Sequence, residues 1–176
     1  MLIVQQSDFK SGKYQLAQNT GDAGLLQATI DEFEKKYIYR LLGVPLGTLF
    51  ISDVDGTTHL PVTTRFLNIF NLATVQVGNR IRECNGMKDM LLAIIYYEYI
   101  FATQVRHTQS GVATNAIENG SVQVGSGAAR LGEIKYNAII DCWESTQYFI
   151  NTNTATYPEY PPAPGQQIHA KLSWIL

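Results

Sequence analysis

Met87-Lys88-Asp89-Met90-Leu91-Leu92-Ala93-Ile94-Ile95-Tyr96-Tyr97-Glu98-Tyr99-Ile100-Phe101-Ala102-Thr103-Gln104-Val105-Arg106 is too apolar on too many sides to lie on a surface. Leu91, Leu92, Ile94, Ile95, Ile100 and Phe101 cannot all face one partner, and a helix apolar nearly all round is buried among several elements. The run therefore predicts a central helix, opened near Asn85-Gly86. Its rings at Tyr96, Tyr97, Tyr99 and Phe101 ask for hydrogen-bond partners or a surface. Its most apolar part, Met90 to Ala102, carries Glu98 and is about 13 residues, short of the roughly 20 that a membrane span needs.

Two further helices fit around it. Leu26, Ile30, Phe33, Tyr37 and Leu41 recur at spacings of three and four and predict a helix over 22–42. Asp22 suits its N-cap, and Gly43 followed by Pro45 suits its stop. Asp31, Glu32 and Glu34 precede Lys35, Lys36 and Arg40, an order that suits the helix dipole and i,i+4 pairing. A third helix is expected over 128–151, with Leu131, Ile134, Ala138, Cys142, Ser145 and Phe149 as its inward row. Residues 2–19 read as a short extended or turn segment. Arg65–Phe70 and Gln76–Arg82, around Val77-Gly78-Asn79, read as a small hairpin or two short strands. The expected fold is mainly α: a helical bundle around a central apolar helix, with a small β-hairpin, a long inter-helix loop and an extended C-terminal arm. Residues 1–154 form the helical domain and 155–176 the arm.

Composition narrows the function classes. Of 176 residues 45% are hydrophobic and only 16% charged, against the roughly 25% usual in soluble proteins, and the net charge is −2. Such a near-neutral chain repels its own copies weakly and favours association. Thirteen Lys and Arg are scattered and outnumbered by fifteen acids, unlike the clustered basic excess of a dedicated nucleic-acid binder. Cys84 and Cys142 lack CxxC spacing and suggest neither a zinc site nor a disulfide framework. They read as two thiols in a reducing cytosol. Met1-Leu2-Ile3-Val4 turns polar at Gln5 and does not read as a signal peptide.

Two segments suit a partner better than an isolated domain. Thr108–Gly127 is rich in Gly, Ser, Asn and Thr, and loops of that length inside a compact domain are uncommon. It carries Val112, Ile117, Val122 and Val124, which gain nothing in water. The second segment runs from Tyr157-Pro158-Glu159-Tyr160-Pro161-Pro162-Ala163-Pro164-Gly165 to Trp174-Ile175-Leu176. Its prolines favour extended chain. Tyr157, Tyr160, Pro161 and Trp174 join the four loop residues as candidate interface positions. Alternatively, the arm folds back over its own core.

Chemistry-bearing motifs are sparse. Leu49-Phe50-Ile51-Ser52-Asp53-Val54-Asp55-Gly56-Thr57 resembles the first motif of haloacid dehalogenase-type phosphatases. The resemblance implies Asp53 as nucleophile, Asp55 as acid/base and Mg²⁺ as charge neutraliser. It covers nine residues and lacks the alternating strands and helices of that family's doubly wound sheet. The same residues also read as a plain Asp- and Gly-containing turn. As an EF-hand the loop fails, with Gly at the fourth place and Thr64 at the twelfth. Gly125–Arg130 imitates a phosphate loop without the Lys-Ser/Thr pair. His59, His107 and His169 are single and widely spaced. No catalytic, cofactor or metal site is expected.

The order of Ile30-Asp31-Glu32-Phe33-Glu34 through Leu41-Leu42-Gly43, then Asn85-Gly86-Met87-Lys88-Asp89-Met90-Leu91 through Tyr96-Tyr97-Glu98-Tyr99, then Thr108-Gln109-Ser110-Gly111-Val112 and a polar helix, resembles the head–tail connector proteins of tailed bacteriophages. The likeness is to the neck or adaptor group found in phages of Bacteroidota, including crAss-like phages, and covers roughly residues 5–150. It implies a helical, non-enzymatic virion protein, made in the host bacterial cytoplasm, that forms a homo-oligomeric ring of typically twelve copies at the portal vertex. Its implied partners are the portal protein and neighbouring neck or tail proteins. Double-stranded DNA would pass non-specifically through the ring during genome ejection, with no membrane involved.

Overall fold

A computed structural model describes residues 3–16, 23–108, 111–114, 126–160 and 168–171. Helix α1 spans Ala23–Asp53, α2 Thr64–Phe70, α3 Gly86–Gln104, α4 Ser126–Asn137 and α5 Ile140–Thr152. Strands β1 (Thr74–Val77) and β2 (Arg80–Glu83) form one antiparallel hairpin, and β3 (Val105–Thr108) and β4 (Gly111–Thr114) a second. The architecture is mainly helical, as the sequence predicts. No helix among the described residues is long and apolar enough to cross a membrane.

Helix α3 takes the central place. It packs against α1, α2, α4 and α5, and Met87, Met90, Leu91, Ala93, Ile94, Ile95, Tyr96 and Tyr99 are buried along it. Its first residue, Gly86, has φ +81°, and a Cβ there would stand 2.8 Å from the Phe70 carbonyl oxygen. Glycine thus lets α3 start directly against the end of α2. At the other end the helix stops at Gln104, and Val105 and Arg106 enter β3 instead of extending it.

Helix α1 does not end at Gly43. That residue takes φ 73° and ψ 162°, the helix bends there, and it resumes over the next ten residues to Asp53. The stop signal works on the first segment only. Pro45 then falls in the first turn of the second segment, where its missing N–H costs no hydrogen bond. The bend is sharp enough that a Cβ on Gly47 would touch the Tyr39 ring at 2.7 Å. Leu46 and Phe50 are buried on the second segment, and Phe50 meets Phe66 of α2 edge-to-face.

Two expectations about local structure are corrected. Arg65–Phe70 belongs to α2, not to a strand. Phe66, Ile69 and Phe70 are buried at helical spacing, and Leu67 N–H bonds back to the Thr63 carbonyl at 3.0 Å. The third helix is broken at Ala138–Ile139, with Ile139 N–H bonding back to Tyr136 rather than one residue further. The break leaves Leu131, Ile134 and Ala138 exposed, while Tyr136, Ile139, Cys142, Trp143, Ser145, Thr146 and Ile150 turn inward. Half of the expected inward row thus faces outward, and Phe149 is half-buried.

The two cysteines are also corrected. Cys84, just past β2, and Cys142 on α5 form a disulfide with Cα atoms 4.8 Å apart. It ties the first hairpin to α5, beside the Arg82–Glu144 ion pair at 3.2 Å. Fifty-eight residues separate the two positions, and only the fold brings them together.

The N-terminal segment is part of the body. Ile3, Val4, Phe9 and Tyr14 are buried around a 3-10 turn at Gln6–Phe9. Glu34 of α1 holds the segment: its Oε1 accepts the Ile3 N–H at 2.7 Å and the Val4 N–H at 2.8 Å.

Candidate functional site

The Asp53–Thr63 turn carries the motif with the sharpest chemical signature, so its carboxylates come first. Asp53 Oδ2 accepts the backbone N–H of Val62 and of Thr63, both at 2.9 Å, and the Thr63 hydroxyl at 3.1 Å. It thereby joins the end of α1 to the start of α2. Asp55 Oδ1 accepts the N–H of Thr58 at 2.7 Å and of Thr57 at 2.9 Å, an Asx-type turn. Those two amides, Thr58 first, hold the Asp55 carboxyl below its ordinary value. A bridge between Val54 and Pro61 closes the loop, and His59 sits in the left-handed region at φ 59°. The arrangement is that of a self-bonded turn between two helices.

Other titratable groups are tied into the body. The Tyr37 hydroxyl donates to Glu98 Oε1 at 3.0 Å, and burial pushes its pKa up, aided by Tyr136 and Glu98. Burial, with Asp89 beside it, raises Tyr14 in the same way. Lys135 Nζ stands 4.0 Å from the Tyr96 ring centroid and donates to the Lys13 carbonyl. Burial and then Lys13 lower its pKa. A cavity of about 250 Å³ lies between Phe70–Ala73 and Cys84–Lys88. Its one charged side chain, Lys88, is paired with Asp8 at 3.0 Å, and its cysteine is oxidised. Among the described residues no group of three His, Cys, Asp or Glu could hold a metal ion.

The candidate interface residues fall into three groups. Tyr157 and Tyr160 are buried on their own chain: the Tyr157 hydroxyl donates to the Arg65 carbonyl at 2.8 Å and the Tyr160 hydroxyl to the Leu41 carbonyl at 3.4 Å. Glu159 grips Arg65 with both oxygens, at 3.3 and 3.2 Å. The arm thus begins by folding back over the body. Val112 lies in β4, paired in register with His107. Ile117, Val122, Val124, Pro161 and Trp174 lie outside the described residues.

Two features have no counterpart in the sequence reading. One is the exposed row on α4. The other is a clamp at its end: the Asn137 side chain donates to the Lys171 carbonyl at 2.9 Å and accepts the Lys171 N–H at 2.8 Å. An asparagine matching a backbone N–H and C=O leaves no sequence signal. Comparisons with protein-family models, curated proteins and solved structures find no match to this chain.

Proposed function

We propose that this protein is a structural ring subunit of a tailed-phage neck, joining head to tail at the portal vertex and extending the DNA channel. The observation that carries the reading is a helical body with a buried core of its own, followed directly after α3 by a second antiparallel hairpin, β3–β4, at the start of the α3–α4 segment. Val112, Ile117, Val122 and Val124 lie on that segment and are its candidate contacts with the next copy. Strand addition to a neighbour's edge and a head-to-tail interface that closes by rotation suit a two-stranded hairpin of this kind. Low charge supports association, and the turn that uses both Asp53 and Asp55 for its own hydrogen bonds supports a non-enzymatic role. Disulfides persist in oxidising surroundings, which suits a particle released from its host.

The test is assembly. Mass photometry of the purified chain, alone and with a portal ring, should show a large closed oligomer of about twelve copies, and deletion of residues 109–126 should abolish it. A chain that stays monomeric in both settings overturns the proposal. So does Mg²⁺-dependent phosphatase turnover that Asp53→Asn removes.

A further inference from the structure

Helix α4 is amphipathic with its apolar row turned away from the body. Leu131, Ile134 and Ala138 stand at helical spacings of three and four, and Leu131 and Ile134 are 45% and 56% exposed. The opposite side is spoken for, since Gly132 lies against Tyr97 and Tyr136 is buried. Asn137 follows Ile134 by three residues and so lies one turn along the same flank. There it holds both backbone groups of Lys171, whose Nζ stands 5.4 Å from the Tyr97 and Tyr136 ring centroids.

The next five residues are Leu172-Ser173-Trp174-Ile175-Leu176, four of them apolar and none charged. Leu131 to Asn137 spans about 9 Å along a helix at 1.5 Å per residue. Five extended residues reach about 16 Å. We propose that Leu172–Leu176 docks on the Leu131–Ile134–Ala138 row of its own chain, with the Asn137–Lys171 clamp as its hinge. Attachment at the edge of the row gives this segment a far higher effective concentration than any free partner. The inference does not rest on the ring reading. It assigns Trp174 to its own subunit and leaves contacts between copies to the segment between α3 and α4.

Trp174 reports directly. The emission of the full chain minus that of Trp174→Phe isolates it from the buried Trp143. It should be blue-shifted and shielded from acrylamide, and Leu131→Lys/Ile134→Lys should shift it red and raise quenching severalfold. Both positions are exposed, so far-UV circular dichroism should not change. Mixing that double variant with Trp174→Phe chains, whose rows are intact and whose segments lack the tryptophan, separates the two geometries. Docking within one chain predicts no recovery of shielding on mixing. Recovery would mean that the row takes a neighbour's segment and would overturn the proposal. Trp174 as open to quenching as free tryptophan, or shielding indifferent to the double substitution, would overturn it as well.

Discussion

Glu34 shows how a residue's role can invert between sequence and fold. In the chain it reads as one charge in an acid-before-base series along the first helix. In the structure it is 2% exposed and receives two amides of the N-terminal segment. Nothing local in the sequence says that Ile3 and Val4 will cross that helix face. A buried donor left without its acceptor costs about 1–3 kcal/mol. Glu34→Ala should therefore lower stability by about 3 kcal/mol in urea unfolding, and Glu34→Gln, which keeps one carbonyl oxygen, by about 1 kcal/mol. Equal losses in the two variants would refute the assignment. The Asp-x-Asp-Gly-Thr stretch was legible as a turn, because Asp and Gly at that spacing favour local bonds whatever surrounds them. Asp55 sets a pH dependence with a definite sign. Its folded value lies below the ordinary 3.8, so the stabilisation is complete above that value and is lost as pH falls through the folded one. The stability gap between the native chain and Asp55→Ala should hold steady above pH about 5 and close below pH about 4. A gap that widens in acid would contradict it.

At the scale of elements, apolar patterning revealed the first segment of α1 and the centre of α3, and the Val77-Gly78-Asn79 turn signal revealed the first hairpin. Patterning failed where an element turns a corner. Gly43 signals a stop correctly, but after a Gly-Val-Pro bend the helix resumes, and only the buried Leu46 and Phe50 account for the second segment. The backbone at Gly43 lies in a region essentially closed to other residues, so Gly43→Ala should cost roughly 1–3 kcal/mol, visible as a lower urea midpoint. An unchanged midpoint would mean that the bend does not need glycine. The row Leu131–Ile134–Ala138–Cys142 is continuous in sequence and split in space, because the turn at Ala138–Ile139 rotates α5 relative to α4. The disulfide belongs to this scale as well. It joins β2's end to α5 across 58 residues, and a loop of that size corresponds to about 4 kcal/mol of unfolded-state entropy. Reduction, or Cys84→Ser/Cys142→Ser, should lower the unfolding free energy by up to that amount. Free thiols in the denatured, unreduced chain would argue against the bond.

For the whole molecule, charge is the property that sequence and structure share most directly, and it bears on how a channel subunit would meet DNA. Affinity for a duplex comes mainly from cations that replace condensed counterions at phosphates. The chain has thirteen Lys and Arg, and several serve the fold: Lys13 pairs with Asp89, Lys88 with Asp8, Arg65 with Glu159 and Arg82 with Glu144. Lys35, Lys36 and Arg40 stand over the rings of Tyr39, Phe33 and Tyr37 on α1. Cations held by carboxylates and rings lose those contacts if they turn to phosphate, and fifteen acids repel the duplex as it approaches. In the proposed channel role, a surface of this kind would let DNA slide past without gripping it. Fluorescence anisotropy at physiological salt should therefore give a Kd for random duplex weaker than the roughly 10⁻⁴–10⁻⁶ M typical of non-specific binders, with almost no dependence on salt. Micromolar or tighter binding that falls steeply between 50 and 200 mM salt would reveal a basic track, and the chain would then be a DNA-gripping protein instead of a passive conduit.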